Sequence, residues 1–331
     1  MKKPQIIVTT IIFLPLLIIL SNHRRASSEL KNNITFHNKL SDYNLFEKNL
    51  ADLEPHKKAI IFNLESTLFT DYAEKQRIIF LPTDDKLIVK GSGLPDFPSG
   101  TIIAKTFYYP TTILNDTIRK FIVETRLLIK KESQWNGATY KWNQKQDEAY
   151  LLEEGATVPL TFEDNNKTTR SINYKIPSKL DCISCHRQGN QIYPIGPKIR
   201  NLNTAINKGG YEINQLEYFK QKMLLDLDST DYTPSIVDHK NDSVLIAKRA
   251  RAYLDINCAH CHNPNGIAYL TMLDLREETS IYKTGILLKQ GKIVMRMSTL
   301  GELHMPKIGT TIIHDEGLQL ILDYIENLNK N

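Results

Sequence analysis

Four cysteines constrain this 331-residue chain more than anything else in it. They are Cys182, Cys185, Cys258 and Cys261, and they fall into two C-x-x-C units. A histidine follows each unit directly, giving Cys182-Ile183-Ser184-Cys185-His186 and Cys258-Ala259-His260-Cys261-His262. Two disulfides would use the cysteines but leave the histidines unexplained. With nine histidines in the chain, chance places one after a given unit about 3% of the time, and after both about one time in a thousand. A shared zinc ion would suit the pairs, but they lie more than seventy residues apart in sequence, beyond ordinary zinc-ribbon spacing. Covalent haem attachment explains every residue. Two thiols three residues apart can add to the two vinyl groups of one haem, and the next residue lies beneath the iron as its proximal ligand. The chain is therefore expected to carry two haem c groups, with His186 and His262 on the irons.

The sixth ligand decides whether an iron is closed or open to small molecules. In the second module a helix precedes the motif, a loop comes after it and an amphipathic helix closes the chain, as in a single-haem cytochrome c domain. Met305, beside Pro306 and before Gly309, sits in the loop before that helix. It is the expected ligand opposite His262, with Met295, Met297 and His304 as rivals. Met295 and Met297 lie in a run that reads as strand-like. His260, inside the attachment loop, is expected to face solvent, and His314 to cap or pack. In the first module Met223, His239 or an open site are all compatible with the sequence. The segment after residue 28 contributes only His37 and His56 before the motifs and no cysteine, which argues against a separate metal site there.

Lys2 and Lys3 precede an apolar run from Ile6 to Leu20, followed by a polar stretch to Ser28. That order reads as an export signal, with an uncleaved anchor as the alternative. Removing residues 1–28 leaves 38 basic against 37 acidic residues. With about four haem propionates added, the mature surface is near neutral. No basic patch interleaved with aromatics is present, so nucleic acid is excluded as a partner.

Between Ala59 and Pro177 short apolar runs alternate with turn residues. Strands are predicted over Arg77–Leu81, Lys86–Lys90, Thr101–Tyr109, Lys120–Lys130, Thr139–Trp142, Thr157–Phe162 and Ser171–Ile176. In the fourth, Val123, Leu127 and Ile129 are expected to share one face and Glu124, Arg126 and Lys130 the solvated other. Trp135, Tyr140 and Trp142 read as core aromatics. Helical spacing appears near Leu40–Leu53, with Ser41 as cap, and again over Ile213–Leu227, Ser243–Ile256 and Thr311–Leu328. The expected fold class is α+β multidomain: an antiparallel β-sandwich or jelly-roll-like domain over 29–177, then mostly α-helical cytochrome c-type haem modules over 178–238 and 239–331.

The text "FPSGTIIAKTFYYP", "YKWNQKQDEAYLL", "PIGPKIRNLN", "RARAYLDINCAHCHNP" and "MPKIGTTIIHDEGLQLI" resembles a family of bacterial di-haem c-type cytochromes with an N-terminal β-rich domain. The resemblance covers roughly residues 40–328. It implies haem binding and electron transfer in the periplasm, with redox partner proteins there or at the membrane, and it matches Met305 to the methionine before the final helix. The expected function is electron relay. A peroxidase-like haem enzyme with an open first site is the alternative, and a partner-gripping β-domain a third reading.

Overall fold

The computed structural model describes residues 34–82, 85–114, 117–164, 167–227 and 234–330. The segment read as an export signal or anchor, and any cleavage within it, lies outside the described residues. Among those described, no helix is long and apolar enough to cross a membrane.

Six strands form one antiparallel sheet in the order β1 (Ala59–Ile61), β2 (Glu74–Phe80), β4 (Ile102–Leu114), β5 (Thr117–Lys131), β6 (Gln134–Trp142) and β7 (Ala149–Leu152). Strand β3 (Leu87–Ile88) stands apart from it, and β8 (Ala156–Glu163) and β9 (Thr169–Ile176) form a separate hairpin. One face of the sheet presents Ile78, Ala104, Leu127 and Tyr140 and is covered by Leu40, Leu45, Phe46 and Leu53. This N-terminal cover holds only 3-10 turns at Leu40–Tyr43 and Leu50–Asp52. Ser41 caps neither: its hydroxyl bonds Glu148 across to the sheet at 2.6 Å. The hairpin packs through Phe162, Ile172 and Tyr174 on Phe107, Tyr109 and Val123.

The other sheet face is not solvated. Ile79 and Ile103 there join Phe62 and Trp135 in one core with Ile192, Ile199, Leu202, Leu216 and Phe219, so a single apolar core draws on both sides of Pro177. Strand β14 (Leu225–Asp226) strengthens the joint by pairing in parallel with β3.

The expected fold class is corrected by this arrangement. A single six-stranded meander with an added hairpin replaces a sandwich or jelly roll. The half of the chain beyond Pro177 is not mostly helical. It contains α1 (Lys179–His186), α2 (Ile199–Leu202), α3 (Gln215–Gln221), α4 (Ile246–Asn257), α5 (Ile286–Met297) and α6 (Asp315–Lys330). Between the first three lie two-stranded ribbons: β10 (Arg187–Gln188) with β11 (Gln191–Ile192), and β12 (Ala205–Lys208) with β13 (Tyr211–Asn214). The physical reason is turn chemistry. Gly189, Gly196, Gly209 and Gly210 all take positive φ, which helices do not tolerate. The helix expected over Ile213–Leu227 shrinks to α3, because the Asn214 side chain accepts from the Leu216 N–H and caps it there. Met223 lies beyond its end at φ 58° and is 70% exposed. Met295 and Met297, read as strand-like, lie in α5.

Candidate functional site

Motif one lies on α1. Ser178 opens that helix with a capping box, its hydroxyl accepting from the Asp181 N–H. A helix sets Cys182 and Cys185 on one side, three positions apart. Cys182 Sγ lies 3.7 Å from Thr139 Oγ1 on β6. His186 Nδ1 lies 2.7 Å from the Tyr193 carbonyl oxygen. A carbonyl only accepts, so Nδ1 carries the proton and Nε2 is left as the metal-binding nitrogen. Burial pushes the His186 imidazole down to about 3, keeping the neutral form that a ligand requires.

The second motif begins at the end of α4. Cys258 caps that helix, and the His262 N–H returns to the Cys258 carbonyl at 2.9 Å. His262 Nδ1 meets Thr271 Oγ1 at 2.9 Å. The Thr271 hydroxyl itself donates to the Ala268 carbonyl at 2.6 Å, so toward His262 it accepts. The Nδ1–H tautomer with Nε2 free is therefore set here too, by a different device. Burial pushes His262 down to about 4. The loop after the motif folds back tightly: a Cβ on Gly266 would lie 2.3 Å from the Cys261 carbonyl oxygen.

The two motifs meet. Cys185 Sγ, a ring nitrogen of His260 and Cys261 Sγ lie within 4.8 Å of one another. His260 is not exposed as its place in the attachment loop predicts; it is half-buried, and its buried Nδ1 has no partner among the described residues. All four cysteines are free thiols.

Around motif one, the inner sheet face lines a small cavity of about 60 Å³. Cys182, Ile183 and His186 line it from α1, Ile103 and Leu128 from the sheet, and Ile192, Pro194, Ile195 and Pro197 from the segment after the motif. Arg77, Lys105 and Arg126 also line it. They stand in register on three adjacent strands, Arg77 opposite Lys105 and Lys105 opposite Arg126. Arg126 in turn faces Thr139, the neighbour of Cys182. Arg126 is neutralised by Glu124, whose two oxygens it grips at 2.8 and 2.5 Å. Arg77 and Lys105 pair with no carboxylate among the described residues. Burial pushes Lys105 down to about 7 and Arg77 down to about 10.

Comparison with protein-family models, curated proteins and solved structures finds no match for this chain.

The donor set fits a haem at each motif. Two thiols and one imidazole with its Nε2 free are present in each, and an apolar cavity adjoins the first. Around the second, Ile267, Tyr269, Leu270 and Met272 come after the motif as exposed apolar side chains, Leu270 at 79%. Of the expected sixth ligands, Met305 is half-buried before α6 with its N–H on the Arg296 carbonyl at 2.9 Å. His304 is engaged at both nitrogens, by Thr299 O at 2.9 Å and Thr310 Oγ1 at 3.1 Å. His239 is buried against Ser66 Oγ at 2.6 Å and lines a second cleft that shares Arg77 with the first cavity. His314 packs as expected, stacked on Phe69 at 4.0 Å.

Sequence reasoning missed Arg77, Lys105, Thr139, Tyr193 and Thr271. Each cation sits between one polar and one apolar neighbour on its own strand, and only the cross-strand register reveals them as one row.

Proposed function

We propose that the chain is an exported c-type cytochrome in which two covalently held haems relay electrons between redox partners. The observation that carries this reading is the matched state of His186 and His262. Each is buried enough to stay neutral, each donates from Nδ1 to an acceptor, and each follows a pair of free cysteines. When bound, haem iron supplies a one-electron couple. The chain's own residues anchor it, fix the imidazole orientation and exclude water on the sheet side. The contact between Cys185 and Cys261 brings the two attachment sites side by side, the placement that a relay requires.

One observation favours a second reading. Cys185, His260 and Cys261 are close enough to hold a zinc ion, and the folded chain abolishes the sequence separation that argued against one. That cluster provides three donors, whereas a structural zinc site takes four; it also leaves Cys182, His186, Cys258 and His262 without a role. Metal analysis of protein made with haem-maturation machinery separates the two. The haem reading expects two irons and no zinc per chain. One zinc and no iron would replace it with the zinc reading. Two low-spin irons in the visible spectrum support relay, and a high-spin iron that binds carbon monoxide supports the enzyme alternative.

A further inference from the structure

We propose that Arg77 and Lys105 bind the two propionate carboxylates of the haem attached through Cys182 and Cys185; this rests on the haem reading above. Three observations converge. First, the cavity holding Cys182 and His186 is otherwise apolar apart from four cations: Lys179 on α1, which pairs with Glu153 at 3.1 Å, and the row of three on the sheet. Second, the row has a direction. It starts at Thr139 beside Cys182 and runs through Arg126 to Lys105 and Arg77 on successive strands. Neighbouring strands are about 4.8 Å apart, so Lys105 and Arg77 lie roughly 10 and 14 Å along that row. That is about the reach of a porphyrin from its vinyl edge to its propionate edge. Third, the cation nearest the thioether end is already neutralised, since Glu124 holds Arg126 and also accepts from Tyr174 Oη at 2.6 Å. Among the described residues the two far cations have no such partner. Removing positive charge from water without a counter-charge is costly, and two carboxylates at the far edge would offset it.

The test uses full-length protein matured with haem, comparing the parent with Arg77→Gln/Lys105→Met. Denatured mass is read first. A parent without haem would overturn the haem reading itself, before any potential is measured. With two haems retained in both proteins, the double variant is expected to lower one midpoint potential and leave the other in place. The direction follows because a nearby cation favours the electron-richer ferrous state. The resonance Raman propionate bending bands should shift as well. Arg77→Lys/Lys105→Arg, which keeps both charges, should restore the parent potential. Two unchanged potentials with unchanged propionate bands would overturn the proposal. If the double variant does not accumulate, single Lys105→Met carries the same reading: a lowered potential supports it, and an unchanged one overturns it.

Discussion

Thr271 shows how much a single hydroxyl can fix. Its proton is committed to the Ala268 carbonyl, so its lone pair faces His262 Nδ1–H. A partner behind an imidazole ligand orients the ring and raises its basicity, an effect typically worth about 10–100-fold in metal affinity. Thr271→Val keeps the shape and removes the acceptor. The second haem's midpoint potential should rise, because a less basic ligand stabilises ferric iron less, while the first stays put. Redox titration checks this, and two unmoved potentials would deny Thr271 the role. Under the proposed haem reading, His186 and His262 are named by the sequence, because each follows a C-x-x-C unit. Tyr193 and Thr271 are not, since seven and nine residues separate them from their histidines and loop closure alone brings them together. His260 misleads for a related reason: a residue inside an attachment loop is exposed only if nothing packs there, and the other motif does.

Among elements, the joint between α2 and α4 has the sharpest energetics. Asp255 on α4 is 5% exposed, and burial by itself would raise its carboxyl. Lys198 at 3.1 Å and Arg200 at 3.0 Å outweigh that and hold it below its usual range. Arg200 also reaches Glu278 at 2.9 Å. Asp255→Asn takes the carboxylate from Lys198 and leaves Arg200 with its rim glutamates alone, and losing one partner of a buried pair costs about 3–5 kcal/mol. Urea unfolding should show such a loss, and a change under about 1 kcal/mol would mean that solvent already screens the pair. The seven predicted strands all appear, because period-2 alternation reports a pleated surface whatever covers it. The nature of that cover is not legible. The alternation alone puts Glu124 and Arg126 in solvent, yet Glu124 is wholly buried against Tyr174 of the hairpin and Arg126 lines the cavity at motif one. A register shift between Phe107 and Tyr108 also parts Val123 from Leu127: Val123 packs under the hairpin, and Ile122 takes its place beside Leu127. The helices fare worse, because amphipathic spacing says nothing of the caps and left-handed turns that cut them short.

At the scale of the whole molecule, one core joins the sheet to the segment carrying the first motif, and buried histidines tie the last loop and helix to both. Burial pushes His239 down to about 3 and His314 down to about 4, whereas an unfolded histidine titrates near 6.5. With the folded value depressed, the unfolded chain binds more protons across this window. The stability is complete above about pH 6.5 and is lost as pH falls toward 4. Each histidine contributes on the order of 1.4 kcal/mol per pH unit. Urea midpoints at pH 7 and pH 5 should therefore differ, the protein being weaker at pH 5, and His314→Gln should narrow the gap. Equal midpoints would mean that neither ring is buried neutral. Everything proposed for function depends on what the four cysteines hold. The most direct measurement is the denatured mass of the protein co-produced with haem-maturation machinery. Two haem adducts are predicted, one of them lost in Cys182→Ala/Cys185→Ala; a chain at its bare polypeptide mass would contradict the account.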